Sequence, residues 1–375
     1  MTDLHPDLPT ILELFQAYYD CRATKRNSAS ALAFEEGLER NLMALYHELI
    51  DGAYRPGPSI CFVVEHPKVR EVWAAQFRDR IVHHMLYNRV ADRFHRRFIH
   101  DSYACIPGRG THKAVARMEH MARSLTRNWQ LPGYVLKMDV ANFFVSIDRG
   151  ILDGLLARHI HEPWWLALCR TVLHHDPTQD AHIQSPDWLM RRVPPHKSLF
   201  QACGKGLPIG NLSSQFFANV YMDALDQHAK HRLKLRRWVR YVDDIVVIGE
   251  CGQALASVAP QVDAFLQSRL GLHLHPRKTS INRIERGFDA LGFVLRPHAR
   301  YVRRSTVRNA YHKLEGMCRA RAPVAEVRNT ANSYFGILRH ALAWRERSRI
   351  GDLLRGYGHI VALQNNRMFT ERIPL

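Results

Sequence analysis

The sequence predicts an α+β fold in which an antiparallel sheet lies among helices. Two short apolar segments have the composition of strands and carry acids at an end or a tip, YVLKMD at 134–139 and WVRYVDDIVVIG at 238–249. Longer segments repeat apolar residues at helical spacing, as from Arg78 to about His100. The last part differs in charge, because residues 296–350 hold 13 Lys or Arg and three acids. We therefore expect a mixed core followed by a basic helical subdomain.

The composition indicates a large basic protein. The chain has 375 residues, with 53 Lys and Arg against 35 Asp and Glu, and a formal net charge of +18. Such a length allows two or three subdomains around one site, and such a charge is typical of proteins with a polyanionic partner. Nucleic acid is the leading candidate for that partner. A basic but otherwise ordinary soluble enzyme is the alternative that charge alone leaves open.

The cysteines and the N-terminus predict the location. Seven cysteines are present and none forms a CxxC pair, which argues against a zinc knuckle or a disulfide framework and fits a reducing cytoplasm. The first residues, MTDLHPDLPTILELF, lack the basic start and long apolar stretch of a secretory signal. No window approaches the roughly 18 apolar residues that span a bilayer. We expect a cytoplasmic protein with no membrane partner.

Further elements can be assigned along the chain. Residues 8–50 have helical periodicity and predict two helices joined by a polar turn at 22–30. A β-hairpin is predicted at 59–75, with Lys68 and Arg70 near its tip. The remaining predictions are an irregular stretch at 151–207, helices at 211–225 and 256–270, and a hairpin at 287–295.

Three acids carry the predicted chemistry. Asp243 and Asp244 are adjacent at the tip of a predicted hairpin, where a structural turn usually has Asp followed by Gly. Phosphoryl transfer with two Mg²⁺ ions about 3.5–4 Å apart needs carboxylate oxygens from more than one part of a chain. Asp139 ends an apolar strand, and we expect this strand to pair beside the hairpin and bring all three acids together. Each acid taken alone also fits a cap or turn role.

Five further blocks follow one another in an order that has a known counterpart. They are FRDR at 77–80, SYA at 102–104, GRGT at 108–111, the stretch 139–148 and LPIGNLSSQ at 207–215. Together with the acidic hairpin they resemble the reverse transcriptase family, from about Phe34 to the C-terminal helices. The last block resembles the diversity-generating-retroelement branch and its bacterial relatives, which carry IGxxxSQ where other branches usually carry QGxxxSP. The resemblance implies an RNA-directed DNA polymerase.

The resemblance also implies a right-hand polymerase fold. Its expected parts are an N-terminal helical extension at 1–57, fingers at 58–136, a palm at 137–295 with a finger-like insertion at about 160–206, and a basic helical thumb at 296–375. Residues 174–205 are longer than this branch leads us to expect. RNA binding and binding of a partner subunit are both open uses for them.

The family assigns roles to the acids and their neighbours. Asp139, Asp243 and Asp244 are expected to hold two Mg²⁺ ions, for which Mn²⁺ is a possible substitute, and the backbone carbonyl of Val140 is a further expected ligand. Lys278 is the candidate general acid for the pyrophosphate leaving group, with an exposed ion pair as the alternative.

Other residues are expected to contact substrate and nucleic acid. The ring of Phe144 would lie under the sugar and exclude a 2′-hydroxyl, although a plain core role also fits it. The expected triphosphate contacts are Lys68, Arg70 and Arg78, for which a solvated basic edge is the alternative. The expected contacts to the incoming base and template are Ile209, Gly210 and Gln215. The expected primer and duplex contacts are Gly292, Phe293, Arg303, Arg304, Arg308, Arg319, Arg321 and Arg328.

The expected partners follow from the same resemblance. They are an RNA template, a DNA or RNA primer, deoxynucleoside triphosphates, a structured noncoding RNA, and a small basic accessory protein or an oligomeric assembly. The branch implies mutagenic retrohoming in a diversity-generating retroelement, and an antiphage defence enzyme that copies a dedicated noncoding RNA is the alternative. Two further classes stay open. A binding protein that has lost catalysis usually lacks one of the three acids, and an RNA-dependent RNA polymerase more often carries GDD.

Overall fold

The computed structural model describes residues 7–23, 28–65, 68–358, 362–364 and 368–370. The described helices are α1 Ile11–Ala23, α2 Ala29–Glu35, α3 Leu38–Ile50, α4 Phe77–His95, α5 Thr111–Leu125, α6 Phe143–Ser146, α7 Arg149–Ala157, α8 Pro163–His174, α9 Asp187–Met190, α10 Leu212–Gln227, α11 Gly252–Ala256, α12 Val258–Phe265, α13 Arg304–Arg319, α14 Val324–Leu338 and α15 Trp344–Gly356. The described strands are β1 Ile60–Val64, β2 Arg70–Ala74, β3 Tyr134–Asp139, β4 His182–Ile183, β5 Trp238–Tyr241, β6 Asp244–Gly249, β7 Ser280–Arg283, β8 Phe288–Ala290, β9 Phe293–Arg296, β10 Ala299–Val302, β11 Ala362–Gln364 and β12 Met368–Thr370. The predicted α+β class is confirmed.

The N-terminal region differs from its prediction. Three helices occupy it instead of two, because α2 ends at Glu35 and α3 begins at Leu38. Gly37 lies between them with non-helical backbone angles, and glycine is a weak helix former. Part of the predicted polar turn, residues 24–27, lies outside the described residues. The apolar faces of these helices pack against α4, which begins one residue before its predicted start and ends earlier, at His95.

A small sheet follows the N-terminal helices. The predicted hairpin is confirmed, because β1 and β2 are antiparallel with Val64 opposite Arg70. β4, from the stretch predicted to be irregular, pairs in parallel with β1 and extends the sheet. That stretch also forms α7, α8 and α9, so it has more regular structure than its sequence indicates. The buried side chains of Cys61, Trp73 and Leu199 join it to the hairpin.

A second, central sheet consists of four antiparallel strands. Its order is β5-β6-β3-β7. β5 and β6 form the predicted hairpin, and β3 pairs with the far side of β6. This confirms that the strand ending in Asp139 lies beside the hairpin that carries the other two acids.

The two faces of the central sheet pack on different cores, because side chains alternate along each strand. One face, which we call the α10 face, packs on the core that contains α7, α10 and α12, through Leu136, Met138, Trp238, Ile245 and Val247. The other, the α5 face, packs on α5 and the C-terminal helices through Val135, Val239, Val246 and Ile248.

The C-terminal half agrees with its predictions in kind more than in detail. The predicted helix at 256–270 corresponds to α12 and the π-helical turn Leu266–Leu270 after it, while the short helix α11 ends where the prediction begins. Pro260 lies in the first turn of α12, where a missing N–H is tolerated. The predicted hairpin at 287–295 gains a third strand, β10. Three helices follow, as predicted, of which α13 and α15 are basic, and β11 and β12 then pair in a hairpin that was not predicted.

Candidate active site

The three acids meet at one end of the central sheet. Asp139, the last residue of β3, lies directly opposite Asp244, the first residue of β6. Asp244 also lies opposite Tyr241, so that Val242 and Asp243 form a two-residue turn between β5 and β6. Val242 has a φ of +56°, which is rare for a β-branched residue. The strand register therefore brings together acids that are more than 100 residues apart in the chain.

Burial and repulsion raise the pKa values of two of the acids, Asp243 and Asp244. Burial and the neighbouring charges of Asp244 and Asp139 raise the pKa of Asp243 to about 6. Burial and the Asp139 charge also raise the pKa of Asp244. Carboxyls whose pKa is raised in this way favour either a proton or a cation between them. Lys278 partly supplies that charge, because its Nζ lies 2.7 Å from Oδ1 of Asp139.

The backbone next to Asp139 is held by hydrogen bonds on both sides, whereas the carbonyl of Val140 has no donor in the described part of the chain. The N–H of Val140 donates to the carbonyl of Asp243 at 3.2 Å, and the adjacent carbonyl of Asp139 accepts from His275 at 2.7 Å. Among the described residues, no group donates a hydrogen bond to the carbonyl of Val140. Val140 is buried and is not among the residues that line the cleft, so its role as a further metal ligand stays a prediction.

These donors fit a divalent metal ion in kind. Carboxylate and carbonyl oxygens are the ligands that Mg²⁺ prefers, and the raised pKa values show an excess of negative charge. In the described part of the chain, no three His, Cys, Asp or Glu side chains already surround a metal position. The Lys278 ammonium contacts one oxygen of Asp139 instead, so a cation of the chain itself already lies beside this acid.

A cleft of about 270 Å³ opens in front of the acids. All three acids line this cleft. Five other residues predicted from the sequence also line it, namely Lys68, Arg70, Lys278, Gly292 and Arg303. Lys137 also lines the cleft and was missed. Its position two residues before Asp139, on the same side of the strand, was a usable signal.

Arg78 lies away from this cleft. Its guanidinium pairs with Glu48 at 2.5 Å and stands 5.5 Å from the ring centroid of Tyr54. The next residue, Asp79, is fully buried and accepts hydrogen bonds from the Tyr54 hydroxyl and the Gly57 N–H. The structure thus brings Arg78 to the N-terminal helices and not to Lys68 and Arg70, because Glu48 of α3 binds it there.

The residues predicted near the sugar and base, Phe144, Ile209, Gly210 and Gln215, are not among those that line the cleft. Phe144 is half-buried, and its carbonyl accepts from Leu207 at 2.8 Å. Ile209 and Gly210 dock on β2, since the N–H of Trp73 donates to the Ile209 carbonyl at 2.7 Å. A Cβ on Gly210 would lie 2.6 Å from the Trp73 carbonyl, so this close approach requires glycine. Gln215 is exposed on the first turn of α10.

The residues predicted at the primer and duplex differ in exposure. Gly292 lines the cleft, whereas the ring of Phe293 is buried and packs edge-on against His112. The buried side chain of Phe293 is therefore not placed to contact nucleic acid, contrary to the prediction. It packs in the core next to Gly292. Arg303 pairs weakly with Asp289 at 3.5 Å. The exposed arginines at the start of α13, and those farther along, are Arg304, Arg308, Arg319 and Arg321, with Arg328 half-buried.

Comparison with known proteins identifies the family. The sequence profile described as "Reverse transcriptase (RNA-dependent DNA polymerase)" matches residues 65–295, which is more than half of the chain. The chain belongs to the reverse transcriptase family. Membership confirms the predicted right-hand polymerase class, and all three acids lie inside the matched residues.

Individual relatives of this reverse transcriptase are distant. Protein YkfC of Escherichia coli (strain K12) is 24% identical over 296 residues, which cover 69% of this chain and 72% of that protein. A telomerase of Candida albicans, solved with a fragment of telomeric RNA, has a TM-score of 0.49 and 10% identity over 81% of this chain. The apo telomerase of Candida tropicalis has a TM-score of 0.45 and 10% identity over 67% of this chain. This chain covers only 54% and 57% of those two chains.

The reverse transcriptase carries a buried ion pair beneath its acidic turn, which sequence analysis missed. Arg240, two residues before Val242, is fully buried and pairs at 2.8 Å with Asp226 of α10, which is also fully buried. Asp226 accepts a further hydrogen bond from the indole of Trp238 at 2.9 Å. An arginine inside an apolar strand was the signal, because such a residue is almost never fully buried unless it is paired.

The remaining donors of Arg240 hold the surrounding backbone. Its Nη1 donates to the carbonyl of Val242 at 3.1 Å and to the side chain of Asn219 at 3.2 Å, and its Nη2 donates to the hydroxyl of Ser102 at 2.9 Å. The guanidinium thus holds the carbonyl of Val242, the residue of the acidic turn that has a positive φ. This contact connects the core of the reverse transcriptase to the position of Asp243.

Among the described residues, no helix of the reverse transcriptase has the length and apolar character needed to cross a bilayer.

Proposed function

We propose that this reverse transcriptase synthesises DNA on an RNA template, using Asp139, Asp243 and Asp244 to hold two Mg²⁺ ions. The observation that carries the proposal is the meeting of the three acids, with the pKa of Asp243 raised to about 6 by burial and its two neighbours. Groups that repel one another at a cleft wall are destabilising unless a cation binds between them. The unpaired carbonyl of Val140 supports a further oxygen contact.

The metal ions, when bound, supply Lewis acid activation of the primer hydroxyl and charge neutralisation at the transferred phosphate; Mn²⁺ offers the same oxygen chemistry. The residues of the chain do the rest. The strand register sets Asp139 and Asp244 directly opposite each other, and Arg240 binds the backbone of the turn that carries Asp243. Lys278 is assigned as the donor of a proton to the leaving pyrophosphate.

The substrate contacts follow from the cleft lining. Lys68 and Arg70 are assigned to the triphosphate, because both are exposed cations at the cleft and cations stabilise charge that develops in phosphoryl transfer. Arg78 is reassigned as a residue that positions the N-terminal helices through Glu48. Phe144 is assigned as the steric gate against a 2′-hydroxyl, which its half-buried ring supports.

The template and primer contacts are assigned to two other segments. Ile209, Gly210 and Gln215 would face the incoming base and template, supported by the tight docking of Gly210 on the β2 backbone. Gly292 and Arg303 would hold the primer end. Arg304 and Arg308, one helical turn apart on α13, would follow the phosphates of the duplex.

These assignments imply the subdomains of a right hand. We propose fingers at 58–136, a palm at 137–295 and a thumb at 296–375, with residues 1–57 as a helical extension. The pairing of β4 with β1 supports a finger-like role for the insertion at 160–206. None of the seven cysteines, all within the described residues, forms a disulfide, which supports a cytoplasmic location.

The biological role we propose is mutagenic retrohoming in a diversity-generating retroelement, supported by the IGxxxSQ block at 209–215. A structured RNA and a small basic accessory protein, or an assembly of several copies, are the partners this role implies. Sequencing the nucleic acid that copurifies with the protein tests it. Template-repeat sequences are expected, whereas one dedicated noncoding RNA would indicate antiphage defence instead.

Primer extension tests the catalytic assignment. Purified protein with Mg²⁺ is expected to extend a DNA primer on an RNA template with deoxynucleotides, and Asp243→Asn is expected to lower the rate by about 10³-fold or more. The matched control is Asp223→Asn, because burial raises the pKa of Asp223 to about 6 as well but this acid lies outside the cleft. Equal activity of Asp243→Asn and the unchanged protein would refute the assignment.

A further inference from the structure

A second pocket lies on the α10 face of the protein, away from the active-site cleft. Its volume is about 580 Å³, within the range of about 300–1,000 Å³ that is typical of ligand sites. Its apolar lining, including Ile151, Leu155 and Phe265, packs on the core of the α10 face. No residue lines both this pocket and the cleft. The pocket is therefore a separate site.

Three helices reach this pocket, and each contributes a row of residues that ends in an arginine. Residues four apart share one face of a helix. The first row is Gly150, Gly154 and Arg158, on and just after α7. The second is Ala224, His228 and Arg232, on and after α10, and the third is Phe265 and Arg269, on and after α12. The second and third rows end in π-helical turns, at His228–Arg232 and Leu266–Leu270. Such turns are frequent at functional sites.

The lining of the pocket combines a glycine, Gly154, with two stacked aromatic rings. A Cβ added to Gly154 would meet no atom within 4 Å, so the space above this glycine is open. The rings of His228 and Phe265 are stacked, with centroids 4.2 Å apart and planes 19° from parallel. Open space above a glycine, next to an aromatic surface, suits a flat ring such as a nucleobase.

The charge of the pocket is uncompensated. Arg158, Arg232 and Arg269 are all exposed, and no acid lines the pocket. Within the described part of the chain, none of the three has a carboxylate at ion-pairing distance. Favourable interaction with a helix C-terminus would explain each arginine separately. It does not explain why three helices bring theirs to one cavity.

We propose that this pocket binds a nucleotide of an RNA strand that lies outside the catalytic cleft. The three arginines contact the phosphates on either side of that nucleotide, and the His228–Phe265 pair supplies surface for its base. The proposal rests on the proposed function only for the identity of the polyanion. It adds a holding site for the part of a bound RNA that is not being copied.

Two variants separate charge from shape. The triple change Arg158→Ala, Arg232→Ala and Arg269→Ala removes the positive charge of the pocket. The single change Gly154→Met fills the open space above Gly154 and keeps all three arginines. Methionine is also a better helix former than glycine, so this variant is expected to fold. The matched control removes three exposed arginines elsewhere, Arg97→Ala, Arg127→Ala and Arg286→Ala.

Fluorescence anisotropy measures the binding of a labelled transfer RNA mixture as a function of salt. Unlabelled primer–template duplex in excess occupies the cleft, and its paired bases cannot enter the pocket. The arginine triple is expected to lower affinity at least tenfold and to reduce the slope of log K against log salt by about 2, from three phosphates at about 0.7 each. Gly154→Met is expected to lower affinity at least fivefold, by about the same factor at every salt concentration. The control is expected to change affinity less than threefold.

Three results would overturn the proposal. The control triple could match the pocket triple, which would indicate a general charge effect. Gly154→Met could bind RNA as the unchanged protein does, which would show that the cavity is not entered. Adenosine monophosphate could bind as tightly as RNA in a calorimetric titration, which would assign the pocket to a free nucleotide. The binding assay needs no catalysis, so these outcomes are independent of primer extension.

Discussion

Two groups of charged residues involve the β5–β6 hairpin, one at its tip and one along β5, and they are arranged in opposite ways. At the tip, Asp243 and Asp244 face Asp139, and burial and mutual repulsion raise the pKa of Asp243 to about 6. Along β5, Arg240 instead pairs at 2.8 Å with Asp226 of α10, and both side chains are fully buried.

The difference is that the chain itself compensates the charges of the buried pair, whereas it compensates the charges of the tip acids only in part. The Asp226–Arg240 pair has its charges and hydrogen bonds satisfied by the chain itself. The tip acids have partial compensation from Lys278 alone at ion-pairing distance among the described residues, and that lysine is 43% exposed. The pair and the tip are joined by the Val242 carbonyl, so the satisfied group positions the unsatisfied one.

Breaking the buried pair is expected to have the largest effect on the whole molecule. Asp226→Ala leaves a buried guanidinium without its carboxylate and should lower the free energy of unfolding by about 3–5 kcal/mol, measured by urea denaturation. The double change Arg240→Met with Asp226→Leu should recover most of that stability, because an apolar pair of similar volume is often neutral.

Activity distinguishes positioning from mere stability in that double variant. Without Arg240, the Val242 carbonyl has lost its donor, so kcat should stay at least about tenfold low although the protein is folded. Recovery of both stability and kcat would show that the ion pair acts only on the fold. A lower Mg²⁺ affinity in the double variant, with an unchanged KM for nucleotide, is the signature of a displaced Asp243.

The adjacent phenylalanines extend the comparison to uncharged residues. Phe143 is buried, whereas Phe144 beside it is half-buried. Phe143→Ala should lower the free energy of unfolding by about 3–5 kcal/mol. Phe144→Ala should cost less stability but lower the preference for deoxynucleotides over ribonucleotides by about 10–100-fold, measured as a ratio of kcat/KM values. If the unchanged protein uses both sugars equally well, the gate assignment is wrong.

The pH dependence of thermal stability gives a smaller effect. The pKa of Asp243 is about 6 in the fold and about 3.9 in an unfolded chain, so its protonation stabilises the metal-free protein below pH 4 and that contribution is lost as pH rises through 6. Mg²⁺ competes with the proton. The rise in melting temperature caused by Mg²⁺ should therefore be a few degrees larger at pH 7.5 than at pH 5.5, and Asp243→Asn should remove most of the difference.

Much of the site could be predicted from sequence because its residues lie at the ends of strongly patterned strands. The apolar run before Asp139 and the hairpin pattern around Asp243 fixed which elements carry the acids. Lys68 and Arg70 followed from their place on a hairpin. These are local signals, which a single sequence contains.

The missed features depend on contacts between distant segments. Arg78 belongs to a block that the family places near the substrate, but its position is set by Glu48, 30 residues earlier. Arg240 is positioned by Asp226 and Ser102, and the second of these is 138 residues away. The burial of Phe293 involves His112 of α5, far earlier in the chain, and the C-terminal helices. No local pattern encodes such partners.

Manganese binding tests the central claim most directly. Electron paramagnetic resonance can count bound Mn²⁺ in the presence of primer–template and a nonhydrolysable deoxynucleotide, in the unchanged protein, in Asp139→Asn, in Asp243→Asn and in the control Asp223→Asn. We predict about two ions per chain for the unchanged protein and the control, and loss of at least one ion for each of the two active-site variants. Equal Mn²⁺ binding by all four proteins would contradict the proposal that these acids form a metal site.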